Sequence, residues 1–116
     1  MTRPADIYLR FLQLAEAVRG LPSLPALDPL EQRILECVGR AGLAKAQLSV
    51  RDLIHHAELG SPSTLHARLK SMREKGWIQL SDTEDTRRKQ VELTQAALRH
   101  FARLSDCVVR AARRDG

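Results

Sequence analysis

The sequence predicts a mainly α-helical fold with one small β-hairpin, and three observations lead to this prediction. Apolar residues recur at spacings of three and four in several segments, which is typical of amphipathic helices. Two of these segments start with an aspartate or a serine followed by a proline, a combination that favours the first turn of a helix. Near the middle, two short alternating stretches flank the polar sequence SDTEDTRRK, which indicates a hairpin with a long loop.

Length and composition indicate one small globular domain. The chain has 116 residues, of which 28% are charged and 43% are hydrophobic, and this is enough to bury a core without disulfides. No apolar run approaches the roughly 20 residues that a membrane-spanning helix needs. The N-terminus lacks the apolar stretch of a signal peptide, so we expect a cytoplasmic protein. The net charge of +5 permits an anionic partner.

The first predicted helix runs from Ala5 to Arg19 and is ended by Gly20. Its apolar face carries four residues at spacings of four, three and four: Ile7, Phe11, Leu14 and Val18. The sequence LPSLPALDP follows, and its three prolines favour a stiff extended linker over a helix. Residues 1–27 are therefore predicted to form a helix and a linker.

The second predicted helix begins after Asp28. This residue can cap the free amide groups of the first turn, Pro29 suits the first helical position, and Glu31 completes a capping box. Gly42 is expected to end the helix. Cys37 and Cys107 lie in predicted helices without a CxxC spacing, so both are interpreted as buried packing residues.

A helix-turn-helix is predicted in the next segment. Ser49 is the expected cap of a short helix from about residue 50 to 57, and a turn containing glycine follows. Ser61 caps a second helix of residues 62–75, and Gly76 ends it in a left-handed conformation. Two helices joined by such a turn form the motif.

The hairpin and a last helix complete the predicted order of elements. Residues 77–80 and 90–93 are the expected strands, and residues 81–89 form the loop between them. Thr94 then caps a helix that reaches about Arg113. Its apolar residues recur at helical spacing: Leu98, Phe101, Leu104, Val108 and Ala112.

Helix 62–75 presents a polar face that suits a DNA major groove. On a helical wheel its buried side is formed by Leu65, Leu69 and Met72. The opposite side carries small or polar groups: Ser63, Thr64, His66, Ala67, Lys70, Ser71 and Glu74. Small polar groups leave room for base edges, whereas bulky apolar groups would block them. An ordinary solvated face would look the same, so the helix by itself leaves both interpretations open.

The hairpin tip adds a cluster of cations. Arg87, Arg88 and Lys89 could contact phosphates or enter an adjacent minor groove if the preceding helix lies in the major groove. Guanidinium groups suit this role because their donors form a fork. Asp85 can bridge to Arg87 and thereby fix the hairpin tip. The alternative is a solvated charged loop.

Residues 28–104 resemble the winged helix-turn-helix of MarR-type bacterial regulators. Four motifs carry the resemblance: SPST at the start of the second helix, EKGWI before the hairpin, EDTRRK at its tip, and VELT at the return to a helix. The resemblance implies a homodimeric transcription factor whose N- and C-terminal helices form the dimer interface. Many members release DNA when they bind small phenolic ligands, but here any effector is unknown. Members often have an arginine where Ala67 stands, and here Arg68 follows it.

These considerations divide the chain and assign candidate residues. Residues 28–93 are the predicted DNA-binding domain, and residues 1–27 and 94–116 are predicted to dimerise. The candidate DNA-binding residues are Ser61, Ser63, Thr64, His66, Arg68, Lys70, Arg87, Arg88 and Lys89, with Asp85 orienting the wing. The candidate dimerisation residues are Ile7, Phe11, Leu14, Val18, Phe101, Leu104 and Val108. The alternative for the terminal helices is that they fold back on their own subunit.

The predicted function is that of a transcriptional regulator that binds double-stranded DNA as a homodimer. We expect it to act as a repressor on a palindromic operator. The alternative is a winged-helix module that contacts another protein. No phosphate-binding loop or partnered nucleophile is recognisable, so we expect neither an enzyme nor a cofactor. Histidines could suggest a metal site, but adjacent side chains on a helix point about 100° apart, so His55 and His56 would not easily share one ion. No metal is therefore predicted.

Overall fold

The computed structural model describes residues 3–19, 24–83 and 88–113. Its elements in chain order are α1 (Pro4–Arg19), α2 (Pro29–Leu43), α3 (Val50–Ile54), a 3₁₀ turn (Ala57–Leu59), α4 (Pro62–Glu74), β1 (Ile78–Asp82), β2 (Lys89–Leu93) and α5 (Gln95–Ala112). The predicted fold class, mainly helical with an antiparallel hairpin, is confirmed. The chain forms two compact units: residues 24–97 make one, and the two ends of the chain, up to residue 23 and from residue 98, make the other.

Helix α2 starts at the predicted capping box. The Asp28 carboxylate accepts the Glu31 N–H at 2.7 Å, and Glu31 Oε1 accepts the Asp28 N–H at 3.0 Å. The predicted end at Gly42 is one residue early, because the helix continues through Leu43. The left-handed conformation that ends the segment falls on Lys45, with φ of 56°.

Helix α3 is shorter than predicted. The expected helix to residue 57 is wrong: α3 ends at Ile54, and the chain turns through an extended His56 into the 3₁₀ turn. Both Leu53 and Leu59 are buried. A continuous helix would place these two side chains about 120° apart, since each residue rotates by about 100°. The break after Ile54 therefore lets both leucines reach the same core.

Helix α4 buries the predicted side. Leu65, Leu69 and Met72 are buried, and they join a core built from every element of residues 24–97. The helix ends at Glu74, and Gly76 takes the predicted left-handed conformation with φ of 87°. The other buried apolar residues of this unit are Ile34, Leu35, Val38, Leu53, Leu59, Trp77, Ile78, Val91 and Ala97.

The end of α4 is tied to the linker that precedes α2. Lys75 Nζ donates to Ala26 O at 3.0 Å and to Glu31 Oε1 at 2.9 Å. Trp77 Nε1 donates to Pro25 O at 2.7 Å. Because these bonds satisfy linker carbonyls, residues 24–28 can lie over the junction of α4 and β1 without becoming helical.

Glu31 is a buried acid, with 2% of its surface exposed. Burial alone would raise the pKa of its carboxyl group. The hydrogen bond from the Asp28 N–H, the hydrogen bond and charge of Lys75 and the nearby Ser71 side chain outweigh burial, so the pKa lies below its ordinary value of 4.5. Glu31 is therefore ionised in the folded protein at neutral pH.

The hairpin is longer than predicted. Ser81 pairs with Gln90 and Asp82 with Lys89, so the strands include residues that were assigned to the loop. Trp77 precedes the strand, and its carbonyl accepts the Thr94 N–H at 3.2 Å. The segment before α3 extends the sheet through a bridge between Ser49 and Gln90. Sequence alternation alone did not reveal these outer pairs because their side chains are polar.

Helix α5 begins after Thr94, as predicted, with the Thr94 hydroxyl oxygen accepting the Ala97 N–H at 3.0 Å. In the unit made by the chain ends, Phe11, Leu14, Phe101 and Leu104 are half-buried. The side chain of Val18 lies outside the described part of the structure. Among the side chains that the structure describes in this unit, the exposed large apolar residues are Ile7, Tyr8, Leu9, Leu12, Leu98, Val108 and Val109.

Replacing Gly76 with alanine should destabilise the protein by about 1–2 kcal/mol, because a side chain disfavours the left-handed conformation. The new Cβ would also lie 3.3 Å from the Leu24 side chain. Gly39→Ala is the matched control: its Cβ meets nothing within 4 Å inside α2, so it should stabilise by about 0.5–1 kcal/mol. Urea unfolding of both variants checks the opposite signs.

Glu31→Gln should lower the free energy of unfolding by about 2 kcal/mol at neutral pH, because the charged bond with Lys75 is lost. Since folding lowers the pKa of Glu31, the carboxylate stabilises fully above 4.5 and loses its effect as the pH falls through the lowered pKa. The difference between wild type and variant should therefore shrink on acidification. Urea unfolding at about pH 7 and about pH 3.5 measures it. Glu36→Gln, an exposed site on α2, should show little difference at either pH.

Candidate nucleic-acid interface

The predicted reading face of α4 is accessible. Ser63, Thr64, His66 and Lys70 are all exposed, and so are Ala67 and Glu74, whereas Ser71 is half-buried. These positions lie opposite the buried leucines, as the helical wheel requires. Within the described part of the chain, this face of α4 is therefore free of protein contacts that would keep the helix from entering a DNA major groove.

The hydroxyl groups at the start of α4 bond to one another. Ser61 Oγ accepts the Thr64 N–H at 3.3 Å and donates to Thr64 Oγ1 at 2.9 Å. It also lies 3.4 Å from Ser63 Oγ. Ser61 is thus the N-cap of α4. It was also predicted to bind DNA, and the structure shows the capping role.

Arg68 lies apart from the other candidate cations. Its Nε is 2.9 Å from Asp28 Oδ2, although the Nε–H is not aligned for a hydrogen bond. The pair connects α4 to the cap of α2. Arg68 was a candidate because MarR-type regulators often have an arginine at the neighbouring position of Ala67, but Arg68 and Lys70, two positions apart on a helix, differ in direction by about 200°.

A concave surface joins α3, α4 and the hairpin. It encloses about 540 Å³ and we call it the basic face. Its lining residues are Val50, Arg51, Ile54, His66, Leu69, Lys70, Arg73, Leu80, Arg88 and Lys89. Five of them are lysine or arginine, so the basic face attracts anions although the charge of the whole chain is modest.

Two of the cations on the basic face were missed in the sequence. Arg51 lies in the first turn of α3, and Arg73 follows Lys70 by three residues on α4. The spacing of Lys70 and Arg73 could have indicated a shared side of the helix. No sequence signal placed Arg51 beside them, because that proximity depends on how α3 packs against α4.

The hairpin contributes Arg88 and Lys89 to the basic face. Lys89 forms an ion pair with Asp82 across the two strands, and the Arg88 carbonyl accepts the Thr83 hydroxyl at 3.0 Å. Asp85 and Arg87, the predicted orienting acid and the third tip cation, lie outside the described residues. The predicted bridge between them therefore stays a prediction.

Asp52 carries a fixed negative charge near the hairpin. Its Oδ2 accepts the Ser49 N–H at 2.9 Å, and its own N–H donates to Ser49 Oγ at 3.0 Å. The bonds from Ser49 lower the pKa of Asp52 below its ordinary value, and the charges of Arg88 and His55 act in the same direction. Asp52 is therefore ionised and close to Arg88.

Other chemistry finds little support in the described residues. Within residues 3–19, 24–83 and 88–113, no three metal-binding side chains come together. Burial lowers the pKa of His100, and the charge of Arg103 adds to the effect. Cys107 is buried, as predicted, but Cys37 is half-buried. No helix in the described part of the chain is both long and apolar enough to cross a membrane.

The fold and the basic face together define a winged helix-turn-helix protein. No protein-family model matches the chain, and neither does any curated protein sequence. Among solved structures, the crystal structure of the YusO protein from Bacillus subtilis is similar, with a TM-score of 0.54 at 17% sequence identity. The similarity covers 91% of this chain and 67% of the YusO chain. It supports a MarR-like fold and, at this identity, shows the fold alone.

Ser61→Ala should destabilise the protein by about 1 kcal/mol, because the N–H of Thr64 loses its acceptor. Ser61→Asp should keep most of the stability, since a carboxylate also caps a helix. Ser63→Ala is the control: its hydroxyl does not accept a backbone N–H, and the change should stay within about 0.5 kcal/mol. Urea unfolding of the three variants tests the assignment, and equal losses for Ser61→Ala and Ser63→Ala would contradict it.

Proposed function

We propose that this protein is a sequence-specific transcriptional regulator that binds double-stranded DNA as a homodimer. The observation that carries the proposal is the basic face beside the exposed polar side of α4. A groove-reading helix needs both features, because base edges give specificity and phosphate contacts give affinity and register. The MarR-like fold is consistent with this arrangement.

In the proposed complex, α4 lies in the major groove. Ser63, Thr64 and His66 near its N-terminus face base edges, and Lys70 reaches a base or a phosphate one turn later. Ser61 keeps its cap, and its role in DNA contact is to hold the start of α4. Arg68 would have to leave Asp28 to reach DNA, so we assign it to orientation of α4 and not to base contact.

The remaining cations of the basic face bind phosphates. Arg51, Arg73 and Arg88 lie on three different elements, so they can follow a curved backbone on one side of α4. Lys89 shares its charge with Asp82 and contributes less. We extend the phosphate-binding role to Arg87 at the hairpin tip, as the resemblance to MarR-type wings implies, with Asp85 orienting it.

Dimerisation is proposed from the exposed apolar residues of the terminal unit. Ile7 and Val108 from the predicted set are exposed, and Tyr8, Leu9 and Leu98 join them. An exposed apolar group of this kind is typical of a protein interface. A two-fold dimer would present two α4 helices to half-sites about one helical turn apart, roughly 10 base pairs. The proposed target is therefore a palindrome, and occupation of a promoter would repress transcription.

The first experiment is selection of the purified protein against a random duplex library at physiological salt, followed by sequencing of the bound fraction. Enrichment of a palindrome with half-sites one turn apart would support both the DNA-binding and the dimer proposals. Absence of enrichment, with weak binding that disappears as salt rises, would contradict them. The alternative, contact with another protein through the same face, would then be the better explanation.

Lys70→Ala and Arg73→Ala should each weaken DNA binding and reduce the slope of log K against log salt by about 1, because each removes one phosphate contact. Arg40→Ala is the matched control: Arg40 is an exposed arginine on α2, paired with Glu36 at 3.9 Å and absent from the basic face. Its slope should stay at the wild-type value. Fluorescence anisotropy of a labelled duplex at several salt concentrations measures all three variants, and equal slopes would rule out these contacts.

A further inference from the structure

We propose that Asp52 is a positioning residue that holds the wing cation Arg88 in place for contact with a DNA phosphate. Asp52 itself does not touch DNA in this proposal. The inference rests on the proposed DNA-binding function and adds an acidic residue to it. It concerns an acid of α3 that neither the helical pattern nor the resemblance to a family assigned beyond its place in a helix.

Asp52 is held in place by hydrogen bonds to Ser49. Its carboxylate accepts the Ser49 N–H at 2.9 Å, and its N–H donates to Ser49 Oγ at 3.0 Å. This reciprocal capping box fixes both the backbone and the side chain of Asp52. A carboxylate held in this way can orient a neighbouring cation, because its own position is fixed.

The segment that leads into α3 is hydrogen-bonded to the hairpin. The Val91 N–H donates to Leu48 O at 2.7 Å, and Ser49 forms a bridge with Gln90. The residue that caps α3 is therefore part of the same small sheet as β2. These bonds consequently fix the spacing between Asp52 and the start of β2.

Asp52 and Arg88 line one small cavity of about 150 Å³. The other residues that line it are neutral: Gln47, Leu48, Ser49, Thr83 and Gln90. Asp52 and Arg88 are thus its two charged lining groups, and they have opposite signs. The Thr83 hydroxyl fixes the Arg88 carbonyl at 3.0 Å, which anchors the backbone of the cation as well.

Arg88 also lines the basic face. Asp52 attracts Arg88 across the small cavity through its charge, and the five N–H donors of the guanidinium fork remain able to bind a phosphate. An arginine that is already oriented loses less side-chain freedom when it binds DNA. Asp52 therefore improves the geometry of the Arg88 contact, although its negative charge reduces the general attraction of DNA to this side.

The test is a double-mutant cycle with Asp52→Asn and Arg88→Gln. Asparagine keeps an oxygen that can accept the Ser49 N–H, so the cap of α3 is retained while the charge is removed. Binding is measured on the selected palindrome and on a random duplex. Asp52→Asn should weaken binding to both duplexes by about threefold to tenfold, because the phosphate contact of Arg88 does not depend on the DNA sequence. In the Arg88→Gln background, Asp52→Asn should have no further effect.

Two outcomes would overturn the proposal. Equal tightening on both duplexes would mean that Asp52 merely repels phosphate. An equal loss with and without Arg88 would mean that Asp52 acts through the stability of α3 alone. Glu36→Gln controls for removing one negative charge elsewhere, at an exposed site on α2, and it should not weaken binding to either duplex.

A second measurement does not need DNA. The pKa of Asp52, followed by NMR of its carboxyl carbon, should be higher in Arg88→Gln than in the wild type, because a nearby positive charge is lost. An unchanged pKa would overturn the electrostatic interaction between the two residues. If the wild type bound no duplex at all, the proposed function and the DNA role of Asp52 would both fail, and the NMR titration would separately decide whether Asp52 and Arg88 interact.

Discussion

The ionised Glu31 and its partner Lys75 are the interaction on which the winged unit depends. The pair joins the first turn of α2 to the residue that follows α4, and Lys75 also holds the linker through Ala26 O. Glu31 is buried whereas the Lys75 side chain is 28% exposed, so loss of Lys75 would leave the buried carboxylate without its counter-charge. An apolar contact at this place could slide, whereas hydrogen bonds from fixed directions allow few arrangements. The direction of α4 relative to α2 is set in this way.

The residues just after Lys75 extend this constraint to the hairpin and to α5. Gly76 reverses the chain, Trp77 binds the linker, and the Thr94 hydroxyl donates to Gly76 O while Thr94 N–H donates to Trp77 O. The end of α4, the start of β1 and the start of α5 therefore meet within a few residues. As a result, the spacing between the polar face of α4 and the cations of the hairpin is fixed. A protein that contacts both a DNA groove and the neighbouring phosphates needs such a fixed spacing.

Local sequence signals predicted the starts of the helices well, and long-range pairing was not predictable from them. Asp28, Ser61 and Thr94 act as caps because a cap involves residues three positions apart, a relationship visible in the sequence. The partner of Lys75 is 44 residues away, and the place of Arg51 beside α4 depends on packing. The early end of α3 was missed for the same reason, since Leu59 is drawn into the core by tertiary contacts. Within the site, the polar face of α4 was foreseen, while the separation of Arg68 from Lys70 was not.

Asp28 serves two helices with one carboxylate, since Oδ1 caps α2 and Oδ2 pairs with Arg68 of α4. The two tasks place different demands on the side chain. A serine at this position could cap α2 but would leave Arg68 without its counter-ion, and a longer acid could reach Arg68 but would cap α2 less well. Changes at positions 28 and 68 are consequently coupled, and their effects on stability should not add. Positions 28 and 68 lie 40 residues apart in the sequence. Among related sequences they would be expected to vary together, because both help to fix the direction of α4.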